Sequence, residues 1–240
     1  MPSICAVIPA RYASSRFPGK MLAPLLGKPL LQHVWENVRT ATAVSRVLIA
    51  TDDERIRAAA AAFGAEAVMT DPALPSGTDR IAAATRGIQA DGFLNVQGDE
   101  PLVTGAVLDA FIAALDGVSP MATLARRITD PAALASPDVV KVVTDLQGRA
   151  LYFSRAPIPH VRDASDHAEH WHHLGIYLYR PPTLRHLVTL PPSPLELAEK
   201  LEQLRALQNG IAIQVVPTTV EMIGVDRPED LQRVTARLRS

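Results

Sequence analysis

The sequence predicts an α/β protein: a mixed, mostly parallel sheet with helices on both faces, extended by a smaller lobe of mixed strands. Three observations carry that expectation. Short β-branched runs alternate with longer helical patterns through the first half, as parallel strands joined by helical crossovers do. From residue 121 onward, strand-like runs follow one another without long helices, which implies antiparallel or mixed additions. The chain has 240 residues, 48% hydrophobic and 20% charged, enough to build a sizeable core.

Taken in order, Ile4–Ile8 is a buried first strand, and a helix over Leu30–Arg39 starts just after Pro29, a favoured first-turn residue. Val47–Thr51 is a strand, and Glu54–Phe63 an Ala-rich helix stopped by Gly64. A short strand at Ala67–Met69, a helix over Thr78–Ile88, a strand at Phe93–Val96 and a helix over Thr104–Leu115 complete the alternation. The second half reads as strands at Met121–Arg127, Val139–Thr144, Ala150–Ser154 and Leu174–Tyr179, with an ordered loop over residues 157–170. Ser193-Pro194-Leu195-Glu196 is a capping-box pattern. It opens one helix that aligns Leu197, Leu201, Leu204 and Gln208 on a stripe and ends at Gly210. A strand at Ile211–Val216 precedes a last helix from Pro228, with Leu231, Val234 and Leu238 facing inward. No repeat, linker or clear boundary divides the chain, so residues 1–240 read as one domain with a smaller lobe.

Composition narrows the function classes. A formal net charge of −1 gives no global pull toward nucleic acid or anionic lipid, so any anion site is local. The single cysteine, Cys5, falls in the first strand and reads as a small core residue, compatible with a reducing compartment. The opening residues lack the basic and apolar regions of a signal peptide, and no run of about 18 apolar residues occurs. The expectation is a cytoplasmic protein without a membrane partner.

Against that even background, Arg11, Arg16 and Lys20 crowd the stretch IPARYASSRFPGK, residues 8–20, just past the first strand. Three cations on one tight loop suit a strongly anionic ligand such as phosphate, although charge runs are also common on solvated turns. The stretch lacks the G-x-x-x-x-G-K-[ST] pattern of a P-loop and the G-x-G-x-x-G of a dinucleotide site. Arginines replace glycines, which favours a side-chain clamp on a polyphosphate. Asp99 and Glu100, in NVQGDEP, follow another strand and suit a hard cation such as Mg²⁺, which takes one or two carboxylates plus phosphate oxygens. Asp226 follows an apolar segment and precedes the last helix, where capping that helix is its plainest role.

These pieces occur together with ATDD (50–53), SGTDR (76–80), VVKVV (139–143), YFSRAPIP (152–159), HLGIYLYR (173–180), SPLELAEKLEQLR (193–205) and GVDRPEDL (224–231). The chain thereby resembles the 3-deoxy-manno-octulosonate (Kdo) cytidylyltransferases, the CMP-Kdo synthetases of lipopolysaccharide precursor synthesis, from first strand to last helix. Sialic-acid cytidylyltransferases share the plan, but their opening loop runs more like RGGSKG. The resemblance implies a nucleotide-diphospho-sugar transferase-like fold, CTP and the sugar acid Kdo as substrates, Mg²⁺ as cofactor, and a homodimer. It implies that residues 121–210 form much of the sugar-acid and dimerisation lobe.

The resemblance also implies roles for residues. Ala10, Arg11, Arg16, Lys20, Ser76 and Gly77 would bind the nucleotide, with Arg11, Lys20, Asp99 and Asp226 in catalysis. Asp99 and Asp226 would hold the metal. Arg80, Gln97, Arg155, His173, Tyr177, Glu202 and Gln203 would contact the sugar-acid substrate. Departures from the family pattern are Leu74 in place of a frequent histidine, Arg227 in place of threonine, and the smaller Gln208-Asn209 pair. His167, His170, His172 and His173 match no tetrahedral zinc spacing, and Trp35 falls on an apolar helical position that reads as core. Two alternatives stay open: a cytidylyltransferase for 8-amino-Kdo or sialic acid, and a non-catalytic nucleotide-binding protein.

Overall fold

The computed structural model describes residues 3–14, 16–115, 117–163 and 169–239. The chain forms two compact units, residues 1–113 with 221–240, and residues 114–220. The first unit opens with β1 (Ile4–Ala10), a single 3-10 turn (Lys20–Leu22), and the hairpin strands β2 (Pro24–Leu25) and β3 (Lys28–Pro29). Then α1 (Leu30–Val38), β4 (Val44–Thr51), α2 (Glu54–Ala62), β5 (Glu66–Met69), α3 (Gly77–Ala84), β6 (Gly92–Asn95) and α4 (Gly105–Ala113) alternate as expected. β1 is buried along its whole length because it lies between two parallel neighbours, β4 and β6, with β5 parallel outside β4. Helices α1 and α3 pack on β1 and β4, and α2 on β4 and β5.

Two differences from the sequence expectation have local causes. The β2–β3 hairpin was not foreseen, because its loop places Leu26 at φ 49° beside Gly27 at φ 84°. Leucine is not a residue that signals such a turn. Helix α3 stops at Ala84 rather than Ile88, where Thr85 bonds its hydroxyl back to the Ile81 carbonyl at 2.8 Å and leaves helical geometry.

The second unit contains β7 (Met121–Arg127), α5 (Pro131–Ala135), β8 (Lys141–Thr144), β9 (Ala150–Ser154) and β10 (Trp171–Tyr179). It continues with α6 (Pro181–Leu187), α7 (Pro194–Glu199), α8 (Gln203–Gln208) and β11 (Ile213–Thr218). β7 pairs parallel with β11 and antiparallel with β10, while β8 pairs antiparallel with both β10 and β9. The mixed pairing expected of this half is thus present. The single helix expected from Pro194 to Gly210 is instead two, broken at Lys200, which adopts φ 55°. The carboxylate of Glu199, the last residue of α7, is held by Ser154 Oγ at 2.6 Å and the Arg155 N–H at 2.9 Å just before the break. Leu201 and Leu204 are buried, but Leu197 is 53% exposed, and Gln208 accepts from the Leu195 N–H instead of joining an apolar stripe.

The chain then returns to the first unit as α9 (Pro228–Arg239). Val234 joins Leu25, Leu30 and Val225 in a buried cluster flanked by Phe17 and Leu231. Leu238 does not face inward as expected; it is 37% exposed in the last turn, beyond the reach of that cluster. The cluster pins residues 223–226 beneath the loop that follows β1. Trp35 is core, 6% exposed, with its ring 5.2 Å from that of Phe63.

Candidate active site

Ligands of parallel sheets collect beyond the carboxyl ends of the strands. In the first unit, the ends of β1, β4 and β6 deliver Ala10–Lys20, Asp52 and Gln97–Asp99 there. Lys20 is 7% exposed and its ammonium is the meeting point. Nζ donates to Asp99 Oδ2 at 2.5 Å, to the Val225 carbonyl at 3.0 Å and to Asp226 Oδ1 at 3.1 Å. Arg16 adds a second cation, 3.0 Å from Asp226 Oδ2. The capping role first given to Asp226 is corrected by these contacts. Asp230 bonds the backbone N–H groups of Asp226 and Arg227 at 3.0 and 2.9 Å, which frees the Asp226 carboxylate to face Lys20.

Close backbone approach makes this convergence possible. A Cβ on Gly98 would lie 2.9 Å from Met21 Sδ and 3.2 Å from the Pro9 carbonyl, so the Asp99 loop passes the end of β1 at close range, where a side chain would crowd Met21 and Pro9. The Val225 N–H donates to the Asp99 carbonyl at 2.9 Å and ties the third segment to the second.

The charges balance within the cluster. Burial opposes the Lys20 charge, but the charge of Asp99 and hydrogen bonds to Asp99 and Asp226 outweigh it and hold the pKa above its usual value. Glu100, next to Asp99, is pushed up to about 8, first by burial and then by the negative charges of Asp99 and Asp226. At neutral pH Glu100 is therefore mostly protonated, and two acids face two cations.

A cavity of about 280 Å³ opens over this cluster. It is lined by every first-unit residue to which the resemblance gives a role: Ala10, Arg11, Arg16, Lys20, Ser76, Gly77, Arg80, Gln97, Asp99 and Asp226. Arg11 is exposed at the rim, and no partner for its guanidinium occurs among the described residues. Arg80 is 4% exposed and held from behind by Asp52 at 2.7 Å and Thr70 at 2.5 Å. Ser76 caps α3 by accepting from the Asp79 N–H, which sets Gly77 at the helix start against Pro9. Gln97 is steadied by Asn95 at 3.1 Å. Leu74, the departure from the family pattern, lines the same cavity.

The five remaining residues all lie in the second unit. His173 is buried on β10, its ring 5.0 Å from Phe153 and 5.4 Å from Tyr177. Burial, then the neighbouring His172, pushes its pKa down to about 3, so it is a neutral imidazole. Its Nε2 and the Gln203 Nε2 are both buried without a hydrogen-bond partner among the described residues. Such atoms are costly unless a ligand or water satisfies them. The negative charge of Glu202 is felt at the Tyr177 hydroxyl, whose pKa is raised chiefly by burial. Arg155 is committed elsewhere: its guanidinium donates to the carbonyls of Glu199 at 2.8 Å and Pro137 at 2.9 Å. His170 turns to the Ile158 carbonyl at 3.0 Å, and His167 lies outside the described residues.

Sequence reasoning passed over Asp52, and it paired Glu100 with Asp99 as a cation ligand, whereas Glu100 is buried away from the cavity lining with its pKa pushed up to about 8. A signal for Asp52 existed, since a buried Arg80 needs a counter-ion and an acid follows β4 directly. Nothing in the spacing distinguishes Glu100, whose burial depends on Gly224; a Cβ there would lie 3.0 Å from Glu100 Oε1.

Known proteins match this chain closely. The family model described as "Cytidylyltransferase" matches residues 5–213. A 3-deoxy-manno-octulosonate cytidylyltransferase of Geobacter metallireducens is 49% identical over 98% of this chain and 97% of its own length. That of Syntrophotalea carbinolica is 51% identical, with 99% of each chain covered. Among solved structures, CMP:2-keto-3-deoxy-manno-octonic acid synthetase complexed with CTP superimposes with a TM-score of 0.94 at 42% identity, covering 99% of this chain and 98% of its own.

Proposed function

The chain belongs to the 3-deoxy-manno-octulosonate cytidylyltransferase family, and from that premise we propose how its residues divide the work. The reaction transfers CMP from CTP to the anomeric hydroxyl of Kdo, releases pyrophosphate and gives CMP-Kdo for lipopolysaccharide biosynthesis. One observation carries the assignment of the catalytic centre: the convergence of Lys20, Asp99 and Asp226 at the floor of a cation-lined cavity.

The sugar hydroxyl attacks the α-phosphorus of CTP, a new phosphorus–oxygen bond forms, and the bond to the β-phosphate oxygen breaks. Arg11, Arg16 and Lys20 bind the triphosphate and neutralise the charge that builds on the departing pyrophosphate. Ser76 and Gly77 hold the nucleoside with Ala10 at the end of β1, and Arg80 and Gln97 reach the sugar acid. His173, Tyr177, Glu202 and Gln203 line the sugar-acid site, and their support is the pair of unsatisfied buried nitrogens on His173 and Gln203. Arg155 shapes the same region through its backbone carbonyl contacts.

Asp99 and Asp226 fit a magnesium ion. Two hard carboxylate donors within 3.1 Å of one nitrogen, beside a phosphate cavity, are the set Mg²⁺ takes when phosphate oxygens and water complete its shell. When bound there, the ion supplies Lewis-acid charge beside the α-phosphate. Residues 1–240 act as one catalytic domain in this reading, with residues 121–210 forming the sugar-acid and dimerisation lobe of a homodimer. No described helix is long and apolar enough to cross a membrane. The proposed compartment is the cytoplasm, a reading supported by the need for CTP.

Pyrophosphate release with CTP, Mg²⁺ and either Kdo, 8-amino-Kdo or sialic acid tests the assignment. Release with Kdo above the other two is expected; preference for sialic acid, or no release with any of them, overturns it.

A further inference from the structure

Tyr12 lies within the triphosphate loop yet is absent from the cavity wall. Its ring is held instead between two other elements. On one side the Arg55 guanidinium carbon lies 3.3 Å from the ring centroid, a stacked cation–π contact. Arg55 is itself locked at the start of α2, with Nε 2.9 Å from Asp53 Oδ1 and Nη2 2.6 Å from Asp53 Oδ2. Against the same ring runs the backbone of Gly19, where a Cβ would lie 3.1 Å from the ring's Cζ. Gly19 has φ 72° and donates its N–H to the Tyr12 carbonyl at 2.9 Å.

Gly19 is also the residue from which the turn carrying Lys20 begins; its carbonyl accepts from the Leu22 N–H at 2.9 Å. The contacts therefore run unbroken from Asp53 through Arg55, Tyr12 and Gly19 to Lys20. We propose that Tyr12 is the positioning residue for Lys20, its ring wedged between Arg55 and Gly19 to hold the turn that delivers the ammonium to Asp99 and Asp226. No hydrogen bond of the Tyr12 hydroxyl occurs among the described residues, so the flat ring, not the hydroxyl, does the positioning. The inference rests on the role given to Lys20 in the proposed function.

The test reads Lys20 directly as well as through turnover. In protein labelled with ¹⁵N-lysine, the buried Lys20 ammonium gives a protected ¹H–¹⁵N side-chain signal, assigned by its loss in Lys20→Ala. Tyr12→Ala and Arg55→Met should broaden or shift that signal at unchanged thermal midpoint, while Tyr12→Phe retains it. In turnover, kcat/KM for CTP falls about 10- to 100-fold in Tyr12→Ala, the range a misplaced catalytic group produces. Tyr12→Phe stays close to the parent, and Tyr12→Ala adds little when Lys20→Ala is already present, because the two share one path. An unchanged ammonium signal in Tyr12→Ala, losses that multiply in the double variant, or a Tyr12→Phe defect as large as that of Tyr12→Ala overturns the proposal. A parent enzyme that turns over no sugar acid while its ammonium signal responds as stated sinks the functional reading and leaves the positioning intact.

Discussion

Lys20 donates to Asp99 over 2.5 Å although 79 positions separate them in the chain. The bond joins the loop after β1 to the loop after β6. In the function proposed above, its cation serves the nucleotide clamp and its anion the metal pair. Several measurable consequences depend on that link.

Neutralising either acid should separate binding from chemistry. Asp99→Asn or Asp226→Asn is expected to lower kcat by at least about 10²-fold, the usual size of one lost electrostatic contact to a transition state. CTP affinity, measured by calorimetry without the sugar acid, should change far less, because Arg11, Arg16 and Lys20 remain. Near-normal turnover in either variant would remove the metal assignment.

Removing the ammonium should act in two directions. Lys20→Met is expected to lose about 2–4 kcal/mol of transition-state stabilisation, read from kcat/KM. The same change uncovers two carboxylates that now share one ammonium. Free Lys20→Met protein should therefore bind Mn²⁺ more tightly than the parent in an electron paramagnetic resonance titration without CTP. Equal affinities would mean that Lys20 does not compete with a cation for these acids.

Acid stability should depend on His173. Its pKa is 6.5 as an ordinary imidazole and about 3 in the fold, with burial as the main cause. Between those values the unfolded chain binds the extra proton, so the native state loses stability as pH falls below 6.5. His172, lowered to about 4 by burial and by Arg126 and Lys141, adds to the same slope. Urea midpoints measured from pH 7 to pH 4 should fall less steeply for His173→Gln than for the parent. Parallel curves would contradict the burial of a neutral imidazole at this site.

Gly105 should be a stability position without a catalytic role. A Cβ on it would lie 2.3 Å from Thr40 Oγ1 and 2.4 Å from the Ala41 nitrogen, and backbone cannot yield as a side chain does. Gly105→Ala should cost about 1–3 kcal/mol or more through overpacking. That corresponds to a thermal midpoint lowered by roughly 2–4 °C for each kcal/mol. The kcat of the folded fraction should be unchanged.

Much of this architecture was legible because it is periodic. β7 and β9 have the bounds read from sequence, Met121–Arg127 and Ala150–Ser154, and the alternation before residue 114 is present as expected. Lys20, Asp99 and Asp226 were legible as chemistry, but the role first favoured for Asp226 was a helix cap. Asp230, in the first turn of α9, instead reaches back to the Asp226 and Arg227 N–H groups, and sequence spacing does not say which of two nearby acids secures a helix start. The break at Lys200 was hidden for a related reason. It falls directly after Glu199, which Ser154 holds across 45 positions, a contact that no local pattern encodes.

The first unit is discontinuous: residues 1–113 are completed by 221–240. During synthesis the ribosome delivers Arg11, Lys20 and Asp99 early and Asp226 only after the whole of residues 114–220 has been made. A nascent chain therefore carries the proposed triphosphate clamp with only one of its two acids, and the Lys20 ammonium lacks both the Val225 carbonyl and Asp226. If Asp226 acts as proposed, turnover begins only once the last segment has docked, and chains released by a stalled or truncated translation before that point hold CTP without transferring CMP.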